Sequence, residues 1–369
     1  MCANSQFESI MDISDLPTPS ILIDRSRLDR NLARMQKVCA DSGTRLRPHI
    51  KTHKSAAIAR RQLESGADGL TVAKIGEAEA MIPSGVRRIF IAHSLVDPGI
   101  APRLAALHEQ LDELVLAVTS ELQAEALNTL LAKAGLKLPV WLAVDSGLGR
   151  EGVRDPESAG RLAARFTDFS CLQLSGLYTH EGQFYRSPPA ERLSHIDQLH
   201  EKLIAYRDAI DPQLPLWPGC SVTAALLAGR DGITGVRPGA YVFADLALAE
   251  TTGVQKLEDV ALNVLSTVID RPEPGLALVD SGTKTLSGDK TPKGILARPA
   301  DGRLFSISKA NEEHGYVEGP EVDQLRIGEK IRWIPAHVCP VVNLTDRLIV
   351  VDGDDIVDTW PVDARGRVQ

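Results

Sequence analysis

The sequence is poor in aromatic residues and carries no excess of positive charge. Phe, Trp and Tyr together make up 4% of its 369 residues, and the formal net charge is −8. A chain of this charge has no broad basic field to attract nucleic acid or an anionic membrane. Its four Trp are not interleaved with basic residues, as a base-stacking surface would require. We therefore expect neither a nucleic-acid partner nor a membrane partner.

Cysteines and long apolar runs are also scarce. The five cysteines are scattered and form no Cys-x-x-Cys pair: Cys2, Cys39, Cys171, Cys220 and Cys339. This spacing is typical of reduced intracellular thiols and not of a disulfide framework. The first fifteen residues lack the apolar core of a signal peptide, and no apolar run is long enough to span a bilayer. We expect a cytoplasmic protein.

A Gly-rich dinucleotide fingerprint is missing after the first predicted strand, which argues against a Rossmann fold. Instead, short β-rich runs alternate with longer segments of helical periodicity, a pattern typical of parallel βαβ units. Eight strands predicted in this way fit a (β/α)8 TIM-type barrel better than an open sheet. They are Leu46–Lys51, Gly69–Ala73, Ile89–His93, Leu114–Val118, Val140–Asp145, Leu172–His180, Leu216–Ser221 and Ile233–Phe243.

The pattern changes after Thr252, where strand-like runs are separated by Gly, Pro and Asp turns. The early strand Ser20–Asp24 lies outside the barrel alternation, and we assign it to the same region. The sequence therefore predicts an α/β protein with two domains. A barrel occupies residues 25–252, and a mainly antiparallel β domain comprises residues 1–24 plus 253–369.

Polar residues recur at the carboxyl ends of the predicted barrel strands, where barrel enzymes hold their catalytic groups. In chain order they are Lys51, His93, Asp145, Tyr178 with His180, and Ser221. Lys51 is a candidate nucleophile because an amine at a barrel mouth can form a Schiff base with a carbonyl group. The alternative is a solvated surface lysine.

Two glycine turns follow the seventh and eighth predicted strands, at Gly219-Cys220-Ser221 and Pro238-Gly239-Ala240. Barrels bind phosphate at these loops through backbone N–H groups. Glycine allows close approach of the backbone, and a Ser hydroxyl adds a donor. Either tripeptide alone is an ordinary turn, but together they predict a phosphate site.

His337 and Cys339 are two residues apart in the β domain. If they lie on a strand, both side chains point to the same face and are predicted to converge on one ion. Imidazole plus thiolate suits zinc and other first-row metals. The alternative is a buried histidine beside a buried cysteine.

These motifs resemble those of fold-type III pyridoxal-phosphate (PLP) enzymes, in particular the D-threonine aldolase and D-serine dehydratase group with its alanine racemase-like barrel. Segment 48–54 is similar to the group's cofactor-lysine motif, and segment 148–150 to the one whose arginine approaches the pyridoxal ring oxygen. Segment 176–180 resembles the strand whose Tyr and His lie against the ring. Segment 236–239 resembles the one whose arginine faces the pyridine nitrogen and whose glycine N–H meets the phosphate.

The resemblance spans roughly residues 16–361 and implies a complete site. PLP would be bound by Lys51, Arg150, Tyr178, His180, Ser221, Arg237, Gly239, Ala240 and Tyr241, with Lys51 also catalytic. A divalent metal (Zn, Mn or Mg) would be bound by His337 and Cys339. The resemblance also implies a small D-amino acid substrate and a homodimer.

Two lyase reactions on D-β-hydroxy amino acids fit this constellation. We expect retro-aldol cleavage of D-threonine-like substrates to glycine and an aldehyde. The alternative is a dehydratase acting on D-serine or D-threo-3-hydroxyaspartate, which releases a 2-oxo acid and ammonia. In the resembled group a His–Cys pair accompanies zinc-dependent dehydratases, whereas a carboxylate at the second position occurs in an aldolase.

Three further alternatives stay open. An amino-acid racemase would need no metal. A non-catalytic PLP-binding protein usually consists of the barrel alone, so the additional β domain argues against it. A sugar-phosphate aldolase using Lys51 would need no PLP at all.

Overall fold

The computed structural model describes residues 12–369 of the chain. The chain divides into two compact units. The barrel unit comprises Leu32–Lys51, Ser55–Gly239 and Gly366–Gln369, and the described part of the β unit comprises residues 12–31, Thr52–Lys54 and Ala240–Arg365. The part of the predicted β domain at residues 1–11 lies outside the described residues.

The strands and helices of the described residues alternate in the first half of the chain. The strands are β1 Ser20–Asp24, β2 Arg45–Leu46, β3 Leu70–Val72, β4 Arg88–Ser94, β5 Glu113–Val118, β6 Leu138–Ala143, β7 Leu172–Tyr178, β8 Leu216–Trp217, β9 Gly235–Val236, β10 Leu262–Glu273, β11 Leu276–Val279, β12 Ala297–Pro299, β13 Ser306–Ala310, β14 Gly315–Glu318, β15 Lys330–Pro335, β16 Arg347–Asp352 and β17 Asp355–Pro361. The helices are α1 Arg25–Asp41, α2 Ala56–Glu64, α3 Ile75–Met81, α4 Ala101–His108, α5 Glu121–Ala134, α6 Pro156–Ala164, α7 Arg192–Asp208, α8 Ala224–Leu227, α9 Thr283–Leu286 and α10 Val338–Asn343.

Eight parallel strands form the barrel. Strands β3 to β8 pair in chain order, and β2 pairs with β9. Backbone bonds join the two groups on both sides: Asp68 N–H donates to the Leu46 carbonyl at 2.7 Å, and Thr234 N–H donates to the Leu216 carbonyl at 3.0 Å. The (β/α)8 barrel predicted from the sequence is confirmed.

The barrel interior is built from aromatic side chains around a buried arginine. Trp141 and Trp217 stack with ring centroids 4.9 Å apart. The guanidinium of Arg47 lies about the same distance from both rings, at 5.1 and 4.9 Å. Its charge is compensated by Asp68 at 2.5 Å and Glu113 at 3.1 Å, as a buried cation requires.

Helix ends in the barrel unit follow local sequence signals. Ser120 begins α5 by accepting the backbone N–H of Gln123, and Gly135 ends it in the left-handed conformation with φ 66°. Asp155 begins α6 in the same way, followed by Pro156, whose missing N–H costs nothing in the first turn.

The β unit contains a nine-stranded, mainly antiparallel sheet within the described residues. Its order is β11-β14-β13-β12-β15-β10-β1-β16-β17. Strand β1 lies between β10, to which it is antiparallel, and β16, to which it is parallel. The mainly antiparallel β domain predicted from the sequence is confirmed.

The first, seventh and eighth predicted barrel strands are reduced to two residues each, and prolines explain the difference. Lys51 does not end a strand but lies in the 3-10 turn Ile50–Thr52. Strands β8 and β9 contain two residues each. Pro48, Pro218 and Pro238 follow the ends of β2, β8 and β9 within two residues. Because proline cannot donate a ladder hydrogen bond, regular pairing ends there.

Candidate active site

Lys51 lies in the turn that follows the first barrel strand. Its side chain is partly exposed. Its backbone N–H donates to Nδ1 of His49 at 3.3 Å. The Lys51 ammonium also contributes to lowering the pKa of His180. Lys51 therefore places an amine within electrostatic reach of His180, at the end of the barrel where catalytic groups are found.

His180 and Glu181, directly after β7, hold both backbone polar groups of Gly219. Nδ1 of His180 lies 2.5 Å from the Gly219 carbonyl oxygen. The Glu181 carboxylate accepts the Gly219 N–H at 3.1 and 3.2 Å and the Thr223 hydroxyl at 3.1 Å. Because a carbonyl only accepts, Nδ1 of His180 carries the proton and Nε2 keeps its lone pair.

Burial shifts the two neighbouring pKa values in opposite directions. Burial, assisted by the Lys51 charge, lowers the pKa of His180 to about 3. Burial raises the pKa of Glu181 to about 7, although the Arg237 charge and the Gly219 N–H act against this increase. At neutral pH His180 is therefore a neutral imidazole, and Glu181 titrates close to neutrality.

Arg237 is buried inside the barrel and bound to backbone. Its Nε donates to the Trp217 carbonyl at 3.1 Å, and a terminal nitrogen donates to the Thr179 carbonyl. Its guanidinium carbon lies 5.2 Å from the Tyr178 ring centroid and 5.4 Å from that of Phe90. Burial lowers the pKa of Arg237 to about 10, so the side chain remains a cation at neutral pH.

The structure brings the two predicted glycine turns together. The Ser221 hydroxyl accepts the Gly239 N–H at 3.2 Å, which joins the turn after β8 to the turn after β9. Ala240 and Tyr241 follow in a buried 3-10 turn that belongs to the β unit. The Tyr241 carbonyl accepts a hydrogen bond from Gln255 Nε2 at 3.0 Å.

Arg150 is exposed at the loop after β6. Its side chain is 56% exposed and lies 3.5 Å from Glu151. The loop is shaped by Asp145, whose carboxylate accepts the N–H groups of Gly147 and Gly149 at 3.1 Å each. Asp145, one of the polar strand ends in the sequence, therefore organises the loop that carries Arg150.

The barrel residues fit a PLP cofactor. Among the described residues, the buried Tyr178 hydroxyl has no hydrogen-bond partner, and a buried hydroxyl normally has one. Tyr178 lies in the same unit as the Lys51 amine, the neutral His180 ring and the Arg237 cation. A carbonyl-bearing, anionic, aromatic cofactor supplies complementary chemistry to each of these groups.

His337 and Cys339 meet, but not on a strand. Strand β15 ends at Pro335, His337 is the N-cap residue of helix α10, and Cys339 lies in the first helical turn. The prediction of two strand residues on one face is therefore wrong. Pro340 explains the helix, because proline is tolerated in a first helical turn but not within a central strand.

Carboxylates support the His337 ring and its helix. Nδ1 of His337 lies 2.7 Å from Asp289 Oδ2. Asp245 accepts the Val338 N–H at 3.1 Å and so holds the start of α10. Burial alone would lower the pKa of His337, but hydrogen bonds to Cys339 and Asp289 and the charges of Cys339 and Asp245 outweigh it and raise the pKa to about 10.

This arrangement fits a divalent metal held by two protein ligands. A histidine whose second nitrogen binds a carboxylate is the usual supporting arrangement for a metal ligand. Within residues 12–369, no group of three or more His, Cys, Asp or Glu side chains could hold a metal ion. Two ligands leave coordination positions for water or substrate, as in catalytic sites.

Sequence reasoning missed Glu181, Asp245 and Asp289. Glu181 had a signal, because it follows His180 at the end of a barrel strand. Asp245 and Asp289 had no sequence signal, because each is far from His337 in the sequence. Asp289 contacts His337, and Asp245 contacts Val338, only in the folded β unit.

Comparisons with known proteins cover nearly the whole chain. Residues 23–247 match the family model "Alanine racemase, N-terminal domain", and residues 261–351 match "Putative serine dehydratase domain". D-threo-3-hydroxyaspartate dehydratase of Delftia sp. is 32% identical over 94% of this chain and 97% of its own length. D-threonine aldolase of Arthrobacter sp. is 29% identical over 96% of this chain and 94% of its own length.

Solved structures give the same relationship. D-threonine aldolase from Filomicrobium marinum matches with a TM-score of 0.88 and 29% identity over 97% of this chain and 98% of its own. Structures of D-threo-3-hydroxyaspartate dehydratase match with a TM-score of 0.85 over 95% of this chain. They include a His-to-Ala variant and a metal-free Cys-to-Ala variant, whose substituted positions are two residues apart.

The barrel, the appended β domain and the two family matches define an alanine racemase-like PLP enzyme of fold type III. More narrowly, the chain belongs to the D-threonine aldolase and D-serine dehydratase family, and it is a PLP-dependent lyase. Among residues 12–369, no helix is long and apolar enough to cross a membrane.

Proposed function

We propose that this chain is a PLP- and divalent-metal-dependent dehydratase of D-β-hydroxy amino acids, which releases a 2-oxo acid and ammonia. The observation that carries the proposal is the contact between the His337 ring and the Cys339 sulfur, supported by Asp289. In the related dehydratase, a His and a Cys at the same spacing were substituted, and the structure of the Cys variant is metal-free.

The residues of the barrel have distinct roles in this proposal. PLP, when bound, supplies the electron sink for negative charge at Cα of the substrate. Lys51 anchors the cofactor and removes the Cα proton. His180 offers a neutral Nε2 as hydrogen-bond acceptor, and Tyr178 offers its buried hydroxyl. Arg237 holds a permanent positive charge, which we assign to the side of the pyridine nitrogen.

The remaining predicted residues complete the cofactor site. Ser221 and Gly239 are assigned to the phosphate through the two joined turns, and Arg150 to the ring oxygen. Ala240 and Tyr241 keep their predicted role beside the cofactor. The metal is assigned to His337 and Cys339, where it supplies a Lewis acid for the β-hydroxyl.

Retro-aldol cleavage, expected first from the sequence, is the second candidate. The similarity to D-threonine aldolases in sequence and structure favours it. The two reactions differ in the proton that is lost: dehydration begins at Cα, whereas aldol cleavage requires a base at the β-hydroxyl. We rank dehydration above cleavage because position 339 is a cysteine, whereas the resembled aldolase has a carboxylate at this position.

Product analysis separates the candidates. Purified protein is incubated with PLP, Zn²⁺ and each of D-threo-3-hydroxyaspartate, D-serine and D-threonine, with the L-enantiomers as controls. Equal amounts of a 2-oxo acid and ammonia are expected from D-substrates. Glycine with an aldehyde would instead establish the aldolase, and a changed enantiomer without either product would establish a racemase.

Two variants serve as matched controls. Cys339→Ala should lose metal and turnover together, while PLP binding persists because Lys51 is unchanged. Cys339→Asp keeps a ligand and is expected to shift products toward glycine and the aldehyde. Full activity of Cys339→Ala without added metal would contradict the metal assignment.

A homodimer in the cytoplasm completes the proposal, on the basis of the family resemblance and the reduced-type cysteine spacing. Light scattering of the purified protein after gel filtration should give twice the mass of one chain.

A further inference from the structure

We infer that Thr52 and Lys54, which follow the cofactor lysine in the sequence, are positioning residues for the metal pair. Both belong to the β unit, and each contacts helix α10. The inference rests on the proposed metal dependence and extends it to residues that do not touch the metal themselves.

Thr52 contacts the metal-binding thiol directly. Its side chain is fully buried, and its hydroxyl oxygen lies 3.2 Å from the Cys339 sulfur. A metal-bound cysteine is a thiolate and has no proton to donate. The hydrogen in this contact therefore comes from the Thr52 hydroxyl, and the bond is strengthened by the sulfur charge.

Lys54 holds the other end of the same helix. Its ammonium nitrogen lies 2.9 Å from the Asn343 side-chain oxygen, and Asn343 is the last residue of α10. The Lys54 backbone has φ 50°, a conformation that non-glycine residues rarely adopt. Its carbonyl accepts the Ala364 N–H at 2.9 Å, which fixes this backbone within the β unit.

The two contacts fix the position of Cys339 within the β unit. Helix α10 has only six residues, too few to be stable on its own. Thr52 binds its second residue and Lys54 binds its last. The thiol is therefore positioned by contacts from segment Thr52–Lys54 of the same unit, and not by the helix alone.

Metal affinity measured by competition with a chromogenic zinc chelator tests this inference without any turnover assay. Thr52→Val removes the hydroxyl but keeps the shape, and we expect Zn²⁺ affinity to fall about 10-fold, the lower range for groups that support metal ligands. Thr52→Ser retains a hydroxyl and should restore most of the affinity. Thr71→Val, which removes a buried hydroxyl bonded to the Arg47 carbonyl in the barrel unit, is the matched control and should bind Zn²⁺ normally.

Co²⁺ in place of Zn²⁺ adds a spectroscopic readout. The thiolate-to-cobalt charge-transfer band should move to lower energy in Thr52→Val, because the sulfur loses a hydrogen-bond donor, and should return in Thr52→Ser. Asn343→Ala removes the acceptor of the Lys54 hydrogen bond at the end of α10 and should also lower Zn²⁺ affinity. This variant provides a second test if Thr52→Val does not fold.

The outcomes distinguish this inference from the proposed function. Equal Zn²⁺ affinity and an unchanged cobalt band in Thr52→Val and the wild type would overturn the inference alone. A wild-type protein that binds no divalent metal would overturn both the inference and the metal-dependent function.

Discussion

Nδ1 of His180 lies 2.5 Å from the Gly219 carbonyl oxygen, while the adjacent Glu181 accepts the N–H of the same glycine. Two consecutive side chains thus fix one residue in the turn after β8. The proton on Nδ1 is held by the carbonyl, and burial keeps the ring neutral. We therefore regard the His180–Glu181 pair as the element that sets both the turn geometry and the His180 tautomer.

His180 should make the protein less stable as the pH falls. Its pKa is lowered to about 3 in the folded protein, from 6.5. Below pH 6.5 the His180 side chain is protonated in the unfolded chain but stays neutral in the folded chain. The contribution of His180 to the free energy of unfolding is therefore full above pH 6.5 and is lost as the pH falls toward 3. The slope is about 1.4 kcal/mol per pH unit. In urea unfolding at several pH values, the difference in unfolding free energy between wild type and His180→Asn should change with this slope from pH 6.5 toward pH 3.

Glu181 should act in the opposite direction. Its pKa is raised from 4.5 to about 7, so the folded state retains a proton that the unfolded state loses. The contribution of Glu181 to the free energy of unfolding is full below pH 4.5 and is lost as the pH rises through 7. Its slope against pH is similar to that of His180 but opposite in sign. Between pH 4.5 and 6.5 the two slopes oppose each other. Glu181→Gln should therefore expose the His180 slope, and an unaltered profile would contradict the Glu181 assignment.

Gly219→Ala should displace Arg237. A Cβ at this position would lie 2.8 Å from the Arg237 guanidinium carbon and from one of its terminal nitrogens. We expect a loss of about 1–3 kcal/mol in unfolding free energy and weaker PLP binding, measured by titration of the apoprotein. Gly288→Ala, where the added methyl group meets open space, is the control. Normal PLP affinity in Gly219→Ala would show that this turn does not contribute to PLP binding.

Arg237 should be sensitive to both charge and shape. Arg237→Glu leaves two backbone carbonyls without their donor and adds a carboxylate whose charge acts on Glu181, which should cost about 3–5 kcal/mol. Arg237→Lys keeps the charge but loses the planar fork, so it should fold while altering the absorption of bound PLP and the product ratio. An unchanged spectrum and product ratio in Arg237→Lys would contradict its place beside the pyridine nitrogen.

Much of the fold could be predicted because the signals are local. The alternation of β-rich and helical segments predicts the barrel, and the order of its strands follows from parallel βαβ connections. The loops after strands seven and eight are neighbours in any such barrel, so the contact between Ser221 and Gly239 follows from topology.

The rest depends on contacts between residues distant in sequence. The contact between Thr52 and Cys339 spans 287 positions, and no local pattern indicates it. The His-x-Cys spacing has the same period as a strand and therefore does not indicate helix α10, for which Pro340 is the local signal. The role of Glu181 emerges only when Gly219 is placed beside it by the fold.

The proposed dehydration requires both Lys51 and the His337–Cys339 metal site. The most direct measurement follows products from D-threo-3-hydroxyaspartate after metal removal with a chelator and after Zn²⁺ is restored, with Lys51→Ala as the inactive control. We expect oxaloacetate and ammonia in equal amounts, loss of both on metal removal, and recovery with Zn²⁺. Unchanged product formation without metal, or turnover by Lys51→Ala, would contradict this requirement.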